Sequence, residues 1–314
     1  MQVLSLFDGI SCGRVALERA GLPVTSYHAW EIEKHAIQIS KNNYPSIVHH
    51  GDVTDTDFSQ YLGCDLIMAG SPCQGFSSSG RGLNFDDPRS CLFFEFVRAL
   101  KEAKPKYFLL ENVNMRKEWR DIITEHVGVQ PILINSARLS AQNRQRLYWT
   151  NIPGVELPPD RGAVLQDILE TTDDSFPAAI RGRRLNKASI VGRRLNEQGH
   201  RQDYDKTVPI TQCLEVRATN TDKSNCLTTV DKDNVLTPLP PGRYPDAFKN
   251  NLPFRYYSTV EYERLQTLPD GYTRGVPESA ARKALGNCWT VDVVAWILSH
   301  LPAALYDRKS SDNT

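Results

Sequence analysis

The chain has 314 residues, 40% apolar and 24% charged, which suits one large or two ordinary globular domains and excludes a disordered tail. No apolar run approaches the roughly 18–20 residues of a membrane span, and the N-terminus carries no signal-peptide pattern. Lys plus Arg and Asp plus Glu both number 37, a balance that taken alone argues against a nucleic-acid binder. The seven cysteines, Cys12, Cys64, Cys73, Cys91, Cys213, Cys226 and Cys288, are odd in number, scattered and without a C-x-x-C pair. Neither a disulfide framework nor a metal site is expected, and the pattern reads as a reducing, intracellular chain.

In chain order, residues 3–7 predict a compact strand ending at Asp8-Gly9, and residues 13–20 a helix with Val15, Ala16 and Leu17 inward and Gly21 as its stop. Residues 25–30 predict a second strand, followed by a helix through Ile39. Residues 65–69 form the next clear strand, running into Gly70-Ser71-Pro72-Cys73 and a Gly/Ser-rich loop over 74–82. Asp87-Pro88 supplies an N-cap and a proline at the first helical position. The helix behind it places Leu92, Phe93, Phe96, Val97 and Leu100 on one face and stops before Pro105. Residues 107–110 are a further buried strand, ending at Glu111-Asn112-Val113. This alternation predicts an α/β fold, a mostly parallel sheet with helices on both faces.

From Pro153 to about Pro253 the character changes: Pro, Thr and Asn rise, periodicity fades and basic residues cluster. Gly182-Arg183-Arg184-Leu185-Asn186 is repeated ten residues on as Gly192-Arg193-Arg194-Leu195-Asn196, which suggests a hairpin or paired loops showing the same residues twice. Order then returns. Ser258-Thr259-Val260-Glu261 is a capping box opening a helix closed by Pro269-Asp270-Gly271, and residues 290–301 form a terminal helix with Val291, Val294, Ala295 and Leu298 on one stripe. That is the layout of a domain inserted into an α/β body.

Three constellations carry chemistry. In the first turn, Phe7-Asp8-Gly9-Ile10-Ser11-Cys12-Gly13, glycines let the backbone approach a ligand at the carboxyl edge of the sheet. Glu31, at the end of the second strand, is placed to accept from ribose hydroxyls, and Asp52, expected to close a third strand, to accept from an adenine amino group. Each feature alone is as often ordinary surface. The turn lacks G-x-G-x-x-G, so a nucleoside without a pyrophosphate fits better, S-adenosylmethionine foremost. Cys73, just past a strand and a fixing proline, is either a buried inert thiol or a nucleophile aimed into a cleft. Glu111 ends a neighbouring strand as either a capping glutamate or a general acid. Gln142, Arg144 and Arg146 alternate, so on a strand they would share one face, either as a solvated basic surface or as planar groups offered to a base or phosphate.

Phe7-Asp8-Gly9 with Gly13, Trp30-Glu31, Gly51-Asp52-Val53, Gly70-Ser71-Pro72-Cys73-Gln74, Glu111-Asn112-Val113, Gln142-x-Arg144-x-Arg146, Glu261-x-x-Arg264-Leu265-Gln266-x-x-Pro269 and Gly286-Asn287 occur in one order. Together they resemble the DNA (cytosine-5)-methyltransferases over nearly the whole chain outside the middle segment. Ser140-Ala141 and Cys288-Trp289 look like the catalytic region of the animal de novo branch, while the compact chain suggests a bacterial or phage member. The resemblance implies a Rossmann-like S-adenosylmethionine-dependent catalytic domain over 1–153 and 254–314 and a small irregular target-recognition domain over 154–253. It implies Cys73 as the thiolate that adds to C6 of a cytosine flipped out of duplex DNA, Glu111 at N3, and Arg144 and Arg146 supporting them, with Arg146 near O2. Phe7, Asp8, Gly9, Ile10, Cys12, Glu31, Ile32, Asp52, Val53, Leu92, Asn287 and Trp289 would bind the cofactor. Gln74, Ser77 and Arg81 in a closing loop, with Arg183, Arg184, Arg193 and Arg194, would bind the DNA. The implied setting is cytoplasmic and nucleoid-associated, with room for a cognate restriction endonuclease.

The related RNA methyltransferases carry a Cys-Phe-Thr signature after the arginine motif that is not found here, and a catalytically dead homologue has no chemical need for Cys73, Glu111 and Arg146 together. Charge is also sorted along the chain. Residues 181–206 hold eight basic residues against three acidic ones, whereas residues 51–65 hold four aspartates and no base. Neutrality of the whole therefore conceals a basic inserted segment, whose arginines meet either base edges or phosphates.

Overall fold

The computed structural model describes residues 1–71, 92–170, 179–180, 182–217 and 222–305. Its larger sheet is built from β1 (Gln2–Leu6), β2 (Ser26–Trp30), β3 (Val48–His49), β4 (Leu66–Gly70), β5 (Tyr107–Val113), β6 (Ile132–Asn135) and β7 (Gln145–Thr150), in the order β3-β2-β1-β4-β5-β7-β6. All its pairings are parallel except those of β7, which runs antiparallel to both neighbours. Strands this apolar need cover on both faces. The alternation of side chains supplies it: Val3, Leu66, Met68 and Leu109 enter one apolar cluster, while Leu4, Leu6, Ile67, Ala69, Phe108 and Leu110 enter another.

The first face is covered by α1 (Cys12–Arg19), α2 (Lys34–Asn43), α7 (Glu278–Asn287) and α8 (Val291–Leu298), the last contributing Val291, Val294 and Leu298. The opposite face receives α3 (Leu92–Ala103), through Phe93, Phe96, Val97 and Ala99, and α4 (Lys117–Val127), through Ile123. The terminal helix is shorter than expected: Thr290 is its N-cap rather than its first residue. The remaining helix of the body, α6 (Thr259–Leu265), has the anticipated capping box, with Glu261 N–H donating to Ser258 Oγ at 3.1 Å and Ser258 N–H donating to Glu261 Oε2 at 2.9 Å.

The chain winds from β1 outward through β2 to β3, then returns to place β4 on the other side of β1. The reversal opens a crevice at the carboxyl ends of β1 and β4, where open α/β sheets bind their ligands. A correction falls here. Asp52 does not close β3, which ends at His49; it caps a 3₁₀ turn, Val53–Asp55, by accepting from Thr54 N–H at 3.0 Å. Short polar side chains favour such caps because they satisfy backbone donors a strand would have used.

The middle segment is more regular than its composition suggested. After a four-residue helix, α5 (Leu165–Ile168), come β8 (Asn186–Arg194), β9 (Ile210–Val216), β10 (Val235–Thr237), β11 (Gly242–Tyr244) and β12 (Arg255–Tyr256). They form an antiparallel sheet in the order β11-β9-β8-β10-β12 around Ala188, Ile190, Leu214, Val216 and Val235. The two Gly-Arg-Arg-Leu-Asn copies are not equivalent. The first leads into β8 and the second ends it, so one strand separates them rather than a hairpin pairing them. The boundary expected at 253–254 also runs through the sheet, because Arg255 pairs with Leu236.

Candidate active site

The turn after β1 is conformationally unusual. Phe7, Gly9 and Ser11 take φ of 56°, 60° and 61°, a left-handed conformation that costs a non-glycine residue about 1–2 kcal/mol. Tertiary bonds hold it in place. Asp8 N–H donates to Trp30 carbonyl at 3.0 Å, Gly9 N–H to Glu31 Oε2 at 2.8 Å, and the Asp8 carboxylate accepts from the Tyr27 and Ser11 hydroxyls. Burial drives the Asp8 carboxyl up to about 6, with those hydroxyl bonds pulling the other way.

Glu31 is fixed more firmly still. Its Oε1 accepts from Ile32 and Glu33 N–H, both at 2.8 Å, so three backbone amides orient one carboxylate at the mouth of the crevice. Ile32 beside it is 72% exposed, an apolar side chain left in solvent at the edge of the site. Asp52 lies one strand further out; bonds from Thr54 hold its carboxyl below the usual range, hence ionised at neutral pH. An oriented carboxylate, a bare apolar wall and a second ionised carboxylate fit the ribose, ring face and amino group of an adenosyl ligand. Ile10, Cys12 and Val53 are buried. Leu92 is half-buried at the start of α3 and Asn287 exposed at the end of α7.

Across the crevice, Glu111 stands opposite Gly70 in the β4–β5 register. Its Oε1 lies 2.9 Å from Arg146 Nε in an ion pair, and its Oε2 accepts from Trp289 Nε1 at 3.2 Å. The next residue, Asn112, donates to Ser71 Oγ at 3.0 Å, tying the end of β4 to the end of β5. Cys73, Gln74, Ser77 and Arg81 lie outside the described residues.

The arginine motif departs from expectation. Only Arg146 is on β7; Gln142 and Arg144 precede the strand and are almost wholly buried, so the three do not share a solvent-facing surface. Arg144 donates to the Cys288 carbonyl at 2.9 Å and to the Gly286 and Leu227 carbonyls at 3.3 Å. Gln142 donates to Leu265 carbonyl at 3.1 Å and accepts from Leu227 N–H at 2.9 Å. Both are struts joining the segment around Leu227 to the catalytic body. Sequence reasoning missed that segment, because its only signal was polar and aperiodic. It also missed that Cys226 Sγ lies 3.4 Å from Arg144 Nη1 and 3.9 Å from Arg146 Nη2.

In the smaller sheet, Arg183 is exposed and Arg184 pairs with Asp222. Arg193 donates to both oxygens of Glu215, which also receives Arg243 Nε at 2.9 Å. Arg194 is half-buried at the end of β8. Among the described residues no cluster of His, Cys, Asp and Glu is arranged to hold a metal, and no helix is long and apolar enough to cross a membrane.

The C-5 cytosine-specific DNA methylase family model matches residues 1–302. The type II methyltransferase M.NlaX of Neisseria lactamica is 27% identical over 98% of this chain and 99% of its own length. M.Eco47II of Escherichia coli is 28% identical over 93% of this chain and 76% of its own. Among solved structures, the Entamoeba histolytica methyltransferase EhMeth covers 96% of the chain, and 97% of its own is covered, with a TM-score of 0.67 at 18% identity. The S. pombe Dnmt2 methyltransferase covers 98% of the chain and 99% of its own at 0.63 and 20%; at such identities these two show a shared fold. The chain belongs to the C-5 cytosine-specific DNA methylase family and is a DNA (cytosine-5)-methyltransferase that uses S-adenosylmethionine.

Proposed function

We propose that the chain methylates cytosine within duplex DNA through a covalent Cys73 adduct, with Glu111 and Arg146 holding the flipped base. The observation that carries this reading is the pair of buried Glu111 and half-buried Arg146 at the sheet's carboxyl edge, beside the residues leading to Cys73. Cytosine C5 is a poor nucleophile. Addition of the Cys73 thiolate forms a sulfur–C6 bond, breaks the C5–C6 double bond and moves the electron pair toward C5 as N3 takes a proton from Glu111. Arg146 keeps Glu111 in place and its guanidinium faces the base. The bound S-adenosylmethionine supplies an electrophilic methyl carbon. A base then takes the C5 proton, the C–H electron pair re-forms the C5–C6 double bond, the thiolate leaves, and N3 returns its proton to Glu111. Glu31 and Asp52 orient the cofactor, and Gly9 allows the turn its close approach.

Residues 154–253 act as the target-recognition region, with Arg183 and Arg184 at the DNA. The type II names of the relatives support a cytoplasmic modification enzyme, with a cognate restriction endonuclease as its functional partner. The test is transfer of labelled methyl to duplex DNA. Cys73→Ala is expected to abolish transfer while S-adenosylmethionine binding, measured by calorimetry, persists. Retained transfer would remove Cys73 from the role, and preferential labelling of transfer RNA would remove DNA as the substrate.

A further inference from the structure

Glu111 is held on both oxygens, by an ion pair on one and a hydrogen bond on the other. Arg146 is charged and comes from the adjacent strand; Trp289 is neutral and comes from the turn between α7 and α8. Trp289 is as deeply buried as Glu111, each 8% exposed. Two glycines make room for its ring. A Cβ at Gly70 would lie 2.7 Å from Trp289 Nε1, and one at Gly13 would lie 3.3 Å from its Cζ3. The indole is thus wedged between the end of β4 and the start of α1, with its N–H pointed at the carboxylate.

We propose that Trp289 is a positioning residue for Glu111. This rests on the reading of Glu111 as the group that meets N3 of the base. A glutamate's terminal torsion is broad, and a carboxylate tethered on one oxygen would sample many orientations. Partners on opposite oxygens, one ionic and one hydrogen-bonded, remove that freedom before the base arrives. Each carboxyl oxygen has two lone-pair sites, so one oxygen can carry the proton that passes to N3 while both keep their partners. Such preorganisation lowers the barrier because no reorientation is left for the chemical step. The role differs from that of a wall against the cofactor, which needs the ring but not the N–H.

The experiment removes only the N–H. Trp289→Phe keeps an aromatic ring, and benzothienylalanine at position 289 keeps the indole's shape with sulfur in place of the N–H, which guards against a folding failure. Steady-state methylation of duplex DNA and calorimetric titration with S-adenosylmethionine are measured on both. Loss of a hydrogen bond to a charged group predicts that kcat falls about ten-fold or more, with the cofactor Kd within about two-fold of the parent. Unchanged kcat in the benzothienylalanine protein, or a weakened cofactor Kd with kcat intact, overturns the inference. Glu111→Gln separates the two readings. If that variant turns over normally, the role of Glu111 itself is wrong; if it is inactive while the position-289 variants match the parent, only the role of Trp289 fails.

Discussion

At the scale of single residues, the site consists of carboxylates given different environments. Glu31 is fastened by three backbone amides at the mouth of the crevice, whereas Asp8, on the turn after β1, is taken out of water and raised to about 6. Because its native pKa lies above the ordinary value of 3.8, the folded state binds the proton more tightly than the unfolded chain does. Ionised Asp8 therefore costs stability, about 3 kcal/mol at most, in full above pH 6 and vanishing below about pH 4. Urea unfolding of Asp8→Asn is expected to show a gain over the parent at pH 7.5 that shrinks toward zero at pH 4; an equal difference at both would refute it. Asp8 and Glu31 were both legible as acids beside a glycine turn. Which of them points outward was not, since that depends on Tyr27, nineteen residues along the chain on another strand.

At the scale of elements, local signals were most reliable where the stabilising contacts lie within one turn. The α6 capping box was readable from four residues because both of its hydrogen bonds close inside them. Its tertiary partner was not. Glu261 is completely buried and receives both Nη atoms of Arg255 at 2.6 Å, an ion pair sealed between the end of the smaller sheet and α6. Glu261→Gln keeps the shape but removes the charge that compensates a buried guanidinium, and should cost about 3–5 kcal/mol. Denaturant titration checks this, and a loss below about 1 kcal/mol would show the guanidinium reaching water instead. The arginine motif teaches the reverse lesson. An alternating pattern suggested one strand face, yet the strand starts at Gln145, and three carbonyls from two distant segments claim Arg144.

At the scale of the whole molecule, a neutral chain sorts its charge along its length, and the structure sharpens which charges are available. Arg193 faces Glu215 and shares it with Arg243, so it braces β8, β9 and β11. Arg183 is exposed at the approach to β8. Arg183→Ala is accordingly expected to weaken binding to all duplexes and reduce the slope of log affinity against log salt by about 1. Arg193→Ala is expected to lower the melting temperature with little change in that slope. Binding isotherms at several salt concentrations decide between them, and a change in sequence preference for Arg183→Ala would make it a base reader instead.

Composition, periodicity and motif order determined the α/β class, the order of the parallel strands along the chain and the inserted segment. These properties follow from contacts between near neighbours, or from the demand that a strand bury alternate side chains. The tertiary structure alone decided that the inserted segment is a five-stranded antiparallel sheet, that Arg144 is a strut, and that Trp289 reaches Glu111. Each of those depends on residues many tens of positions apart, brought together only when the sheet reverses direction and the last two helices close over it.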